Sequence, residues 1–179
     1  CYNIIANKFG IPTVLINNAA IDSPPGAPIE ETGPFEEYPE SSWDDVMEVN
    51  LKGTFLACQV FGAAMSLAGK GSIINIASIA GINGKGSNIA YCASKAAVIN
   101  MTKSLARALA PTRVNAISPG YIPTGFVKFE EGYSEKTIDS TPLKKSGSPE
   151  EIAEIAWFLY ESKFITGENI VADGGLILS

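Results

Sequence analysis

Four short apolar runs constrain this chain more than anything else in it: "TVLINNAA" (13–20), "GSIINIAS" (71–78), "RVNAIS" (113–118) and "NIVADGG" (169–175). Each is continuously apolar through its middle, not alternating, and each breaks off into polar or small residues. Strands of that kind are buried on both faces, as in a parallel sheet covered by helices. The intervening segments agree. "SSWDDVMEVNLKGTFLACQVFGAAM" (41–65) reads as a long helix, with Ser41 or Ser42 as cap and Asp44 and Asp45 in the first turn. Its Val46, Val49, Phe55, Leu56 and Val60 recur at roughly helical spacing. A second helix is expected from about Ala90 to Leu109. "SPEEIAEIAWFLY" (148–160) predicts a third, with Ser148 as N-cap, Pro149 at the first position and Glu151 closing a capping box. Residues 21–40 and 79–89 read as loops. The fold class is α/β: a doubly wound parallel sheet in a single domain.

In such sheets a ligand sits beyond the carboxyl ends of the strands. Those ends carry Asn17-Asn18-Ala19-Ala20, Ala77-Ser78 and Ser118-Pro119-Gly120. Polar and tight-turn residues therefore collect at the one edge where a site is expected.

Composition narrows the chemistry. With 179 residues, 46% of them hydrophobic, the chain has enough material for one sizeable core. A net charge of −6 argues against a nucleic-acid groove or a polybasic membrane patch. Glu30, Glu31, Glu36, Glu37 and Glu40 gather in one segment that reads as a solvated loop. No apolar run approaches the ~20 residues of a membrane span, and no leader-like pattern opens the sequence. Cys1, Cys58 and Cys92 are odd in number and lack metal-ligand spacing, which suits a reducing, cytoplasmic setting. There is no histidine. That excludes Ser-His-Asp and Cys-His catalysis within the chain and leaves no expected metal site. Acid–base chemistry must use Tyr, Lys, Asp, Glu or Ser. Trp43, Trp157 and Phe158 are expected to pack in the core or at an interface.

"AYCASKAAVIN" (90–100) offers such a pair. Tyr91 and Lys95 lie four apart among small residues, and a helix brings them to one side. By itself that spacing occurs often by chance. Its context is more specific: "NNAA", "VNLKG", "IINIAS", "YCASK", "RVNAISPG" and "ITGENIVADGG" occur in this order, with Ser78 placed 13 residues before Tyr91. In these motifs and spacings the chain resembles the short-chain dehydrogenase/reductase family.

The resemblance implies a Rossmann-like sheet and an oxidoreductase that interconverts an alcohol and a carbonyl with NAD or NADP. Carried over by position, Tyr91 is the catalytic acid/base and Lys95 its activator. Ser78 donates to the substrate carbonyl, and Asn50 holds a proton-relay water. Asn18, Ala19 and Ala20 border the cofactor ribose together with Tyr91 and Lys95. Pro119, Gly120, Ile122 and Thr124 wrap the nicotinamide end. A small alcohol or ketone would lie against Ser78, Ile82, Asn83, Asn88 and Tyr91, under the 121–148 segment with Phe126, Phe129 and Tyr133. A free tyrosine titrates at about 10. The ammonium of Lys95 is expected to lower that value.

The family's pattern begins with a strand and a Gly-rich phosphate-binding turn, and neither is in this sequence. Residues 1–179 are therefore expected to be the C-terminal two-thirds of one Rossmann-type domain, with the acid or base that selects NAD or NADP outside it. Two places run a few residues short of the pattern, between Pro111 and Arg113 and near Ser162, and chain breaks are expected there. Family likeness also implies a homo-oligomer, dimer or tetramer, touching through the 43–65 and 90–109 helices and the last strand. Two other functions share Tyr-x-x-x-Lys or its fold: a sugar-nucleotide epimerase or dehydratase of the extended relatives, and a non-catalytic NAD(P) sensor. "NNAA" and "ISPG" argue against the first. The intact Asn50, Ser78, Tyr91 and Lys95 argue against the second.

Overall fold

A computed structural model describes residues 2–23, 34–126 and 132–179. Cys1, Glu30, Glu31 and Phe129 lie outside the described residues. Four parallel strands form one sheet in the order β1-β2-β3-β4: β1 (Val14–Asn17), β2 (Ser72–Ile76), β3 (Arg113–Pro119) and β4 (Asn169–Ala172). Asn17 pairs with Asn75, Asn75 with Ala116 and Ala116 with Asn169. The carboxyl ends are thereby drawn to one edge, as the four apolar runs predict.

Both faces of the sheet are covered. On one, Ile73 and Val114 pack with Cys58, Met65 and Ala106 from the 40–67 and 89–108 helices. On the other, Ile74 and Ile117 pack with Ala156 and Leu159 of the helix Pro149–Glu161. Fully burying a side chain of this size stabilises by roughly 1.5–3 kcal/mol. Strand residues alternate between these two layers, so continuous hydrophobicity is what the fold requires. Asn75 and Asn115 interrupt it. Asn75 is bound by Asn17 and Thr102 at 2.8 and 2.9 Å. The Asn115 amide donates to Ile165 O at 3.0 Å, and its oxygen accepts the Glu168 N–H at 3.1 Å.

The long helix differs from the sequence expectation in an instructive way. It runs as one rod through Glu40–Met47, Glu48–Gly53, Thr54–Ala57, Cys58–Gly62 and Ala63–Leu67, the second and fourth pieces being π turns. Six of its seven buried residues, Ser42, Val46, Asn50, Thr54, Cys58 and Gly62, fall one every four positions, and Met65 is the seventh. In a helix of 3.6 residues per turn such a row would drift around the rod. Wider π turns keep it straight against the sheet. Of the apolar positions expected to face inward, Val46 alone is buried; Val49, Phe55, Leu56 and Val60 are 37–45% exposed. The helix is preceded by Pro39 with no side-chain cap, because Ser41 and Ser42 already lie inside the first turn.

The helix expected from Ala90 to Leu109 is Ile89–Ala108, and the capping box at Ser148 and Glu151 is present. Three helices were not anticipated: Tyr2–Phe9, Ala80–Asn83 and Tyr133–Ser140. Trp157 and Phe158 are 65% and 53% exposed, so they are not core. The Thr112 N–H donates to Leu109 O, and the Ser162 N–H to Phe158 O, each at 2.9 Å, so both short segments are closed turns. Among the described residues no helix is long and apolar enough to cross a membrane.

Candidate active site

A cleft of about 1100 Å³ opens beyond the carboxyl ends of β1, β2 and β3. Ser78, Asn83, Tyr91 and Lys95 line it, as do Asn18, Ala19 and Ala20 on one side and Pro119, Gly120, Ile122 and Thr124 on the other. Residues scattered over more than a hundred positions are thus brought to one place by the strand ends.

The 89–108 helix positions the central pair. Its N-cap is Asn88, whose side-chain oxygen accepts the Tyr91 N–H at 2.9 Å. Tyr91 therefore stands in the first turn, and Lys95 one turn further in. Lys95 is 3% exposed; its Nζ donates to Ile76 O at 2.8 Å and lies 5.5 Å from the centre of the Tyr91 ring. Ser78, just past β2, shares a hydrogen bond with Tyr91, and its hydroxyl oxygen accepts the Ala80 N–H at 3.1 Å. The short helix Ala80–Asn83 can press against Lys95 because Gly81 has no side chain. A Cβ there would stand 2.6 Å from backbone atoms of Lys95 and Ala96. Gly120 is equally confined, with a Cβ falling 2.6 Å from that of Asp173.

The electrostatics correct the sequence expectation. Burial pushes the Tyr91 phenol up to about 12; the Ser78 hydrogen bond opposes this, while Asp22 and Cys92 add to it. Burial brings the Lys95 ammonium down to about 8. Loss of solvent thus outweighs attraction between the two, in keeping with an ammonium whose hydrogen bond goes to a backbone carbonyl. The protein groups by themselves keep Tyr91 protonated at neutral pH.

Two expected site residues have different work. Asn50, 1% exposed, does not line the cleft. Its side-chain oxygen accepts the Ile21 N–H at 2.8 Å, and its amide donates to Ile21 O at 2.9 Å and to Ser94 Oγ at 3.1 Å. Both ends of the side chain are engaged by protein, so it clamps the chain after β1. Asn88 is likewise outside the cleft lining, its amide donating to Asp22 O at 2.6 Å and Ser23 Oγ at 3.1 Å. Asp22 and Ser87, which no motif singled out, do line the cleft. Their one signal was position: Asp22 follows β1 at the ligand edge, and Ser87 lies four residues before Tyr91.

Residues 1–177 match the family described as enoyl-(acyl carrier protein) reductase. The chain is 39% identical, over 179 residues, to a 3-oxoacyl-[acyl-carrier-protein] reductase of Thermotoga maritima, covering 97% of this chain and 70% of that one. The chain belongs to the short-chain dehydrogenase/reductase family. It is also 44% identical, over 146 residues, to an NAD-dependent glycerol dehydrogenase of Listeria innocua, covering 78% of this chain and 58% of the relative. The structure of ElxO with NADP bound overlays with a TM-score of 0.84 at 29% identity, covering 99% of this chain and 72% of the other. The chain therefore spans between 58% and 72% of these relatives. Family membership makes it an oxidoreductase that uses a nicotinamide cofactor, NAD or NADP.

The residues present fit the nicotinamide–ribose end of such a cofactor. Ala19 and Ala20 project nothing larger than a methyl into the cleft, and the Asn18 amide is exposed beside them. Lys95 carries three donors, of which one is used on Ile76.

Proposed function

We propose that the protein reduces a small-molecule ketone to an alcohol, and runs the reverse, with Tyr91 as the proton donor and acceptor. The observation that carries this is the meeting of Tyr91, Ser78 and Lys95 at the carboxyl edge of the sheet. When bound, the nicotinamide supplies or accepts the hydride.

The chain's own groups manage the oxygen. Ser78 and Tyr91 already share a hydrogen bond, so a substrate oxygen entering between them is polarised by both hydroxyls. As that oxygen becomes an alkoxide, Tyr91 passes its proton to it. Lys95 stabilises the phenolate left behind. Because burial holds the phenol protonated at neutral pH, the site stands ready for reduction, whereas oxidation requires the phenolate and gains as pH rises. Asn50 holds the Ile21 backbone and the Ser94 hydroxyl, which in turn donates to Tyr91 O at 2.8 Å. It positions Tyr91 without touching substrate.

The setting is read as cytoplasmic, with Cys58 and Cys92 as free thiols. A homo-oligomer is supported by two apolar surfaces. One is formed by Val49, Phe55, Leu56 and Val60 on the long helix, the other by Trp157, Phe158 and Phe164 near the C-terminus.

The test is Tyr91→Phe in the protein that carries this chain, followed by NADH and NADPH absorbance with a panel of ketones. Turnover should fall about 1000-fold while the cofactor still binds, its affinity lowered by no more than about tenfold for one lost hydrogen bond. Retained turnover would overturn the assignment.

A further inference from the structure

The turn after β1 carries a group that the acid–base reading does not use. Asp22 is the one acidic side chain among the described residues lining the cleft. Ser87 donates its hydroxyl to the Asp22 carboxylate. Asn88 binds the Asp22 carbonyl at 2.6 Å and the Ser23 hydroxyl at 3.1 Å, and Asn50 grips both backbone groups of Ile21. Side chains from two helices thus fix Ile21–Ser23 over the cleft. They do so largely through backbone groups, which would serve equally well with an uncharged residue at position 22.

The charge at Asp22 comes at a cost. It lies close enough to Tyr91 to oppose ionisation of the phenol. Ser87 belongs to a polar stretch of the lining with Asn83, Lys85 and Gly86, while Ile79, Ile122, Phe126 and Tyr133 line the cleft elsewhere. The polar stretch offers hydrogen-bond partners to hydroxyl groups. A carboxylate is the strongest acceptor a protein can offer a neutral hydroxyl.

Resting on the Tyr91 reading, we infer that Asp22 determines specificity: it accepts a hydrogen bond from a hydroxyl beside the reacting carbon, so that the substrates are vicinal diols and polyols. Ser87 holds the carboxylate in place for that contact. Acyl thioesters, which bring an apolar chain and no hydroxyl at that carbon, are poor substrates.

The experiment compares matched pairs, glycerol with isopropanol and myo-inositol with cyclohexanol, by initial rates of oxidation with NAD and with NADP. Reduction of acetoacetyl-coenzyme A is measured beside them. For the unaltered protein, kcat/KM is expected to be about 10- to 100-fold higher for the polyol of at least one pair, the range of a hydrogen bond to a charged group. Asp22→Asn preserves the shape of the side chain, and with Asp22→Ala it should remove most of that ratio, whatever happens to the absolute rates. Ser87→Ala should lower the ratio in the same direction. Tyr91→Phe should depress both members of a pair together and leave the ratio alone, which separates the two readings. A ratio unchanged in both Asp22 variants, or acetoacetyl-coenzyme A preferred to every polyol, overturns the inference. Absence of turnover on every substrate with cofactor bound removes the Tyr91 reading and this one with it.

Discussion

The helices that cover the two faces of the sheet begin in opposite ways. The 149–161 helix is started by its neighbours in sequence. Ser148 Oγ accepts the Glu151 N–H at 3.3 Å, Glu151 returns the bond to the Ser148 N–H at 2.9 Å, and Lys145 reaches Glu151 at 2.6 Å. The 89–108 helix is started by Asn88, whose side chain also meets Asp22, Ser23 and Tyr38, between 50 and 66 residues away. The first start is local, and the face it serves is a simple apolar contact on Ile74 and Ile117. The second is a tertiary junction with Tyr91, the proposed acid–base residue, three residues on. The start on one face of the sheet is written in a single stretch, while the start beside Tyr91 on the other face depends on distant segments arriving together, although Pro149, Ile152, Ala153 and Ala156 of the first helix line the same cleft.

The comparison breaks if damage at the two starts has the same consequences. The largest effect is expected from Lys95→Met, one turn inside the catalytic start. Activity should drop about 100-fold or more, since the phenolate loses its cation. Stability should move the other way. Burial depresses the Lys95 pKa from 10.5 to about 8, which corresponds to roughly 3 kcal/mol against the charged form in the folded state. That penalty is present in full below pH 8 and fades as pH rises from there to the ordinary value. Denaturant melts at pH 7 should show the variant more stable than the parent, with the gap closing above pH 8. A variant less stable at every pH would contradict this.

Asn88→Ala sharpens the contrast. It removes a cap and the hold on Asp22 and Ser23 together, so stability should fall by about 2 kcal/mol. Because the chain over the cleft is released, kcat should fall about tenfold as well. Ser148→Ala is the matched control and the smallest effect: about 1 kcal/mol lost in denaturant unfolding, with kcat unchanged. If Ser148→Ala lowered kcat as Asn88→Ala does, the division between a local and a tertiary start would be wrong.

The same division explains what the sequence revealed. The sheet was legible because burial on both faces leaves only one kind of strand. The capping box at Ser148 was legible because its partners are three residues apart. Tyr91, Ser78 and Lys95 stood out through the resemblance of six motifs to a known family, and the fold brings them to one cleft. The row Ser42, Val46, Asn50, Thr54, Cys58 and Gly62 was not, because it is mostly small or polar and follows π geometry that a 3.6-residue template does not describe. The protein partners of Asn50 and Asn88 were illegible for a related reason: an asparagine has both a donor and an acceptor, and nothing nearby in sequence says which distant groups engage them. The direction of the Tyr91 shift was misjudged by weighing the ammonium and leaving out the burial of both groups.

That shift is the claim on which the acid role stands, and it can be read directly. With carbon-13 at the tyrosine Cζ positions, the resonance missing from Tyr91→Phe identifies Tyr91, and its chemical shift can be followed with pH in the cofactor-free protein. The structure predicts no ionisation through pH 10 and a midpoint at about 12. A midpoint below the ordinary value of about 10, the result expected if Lys95 dominated burial, would contradict it.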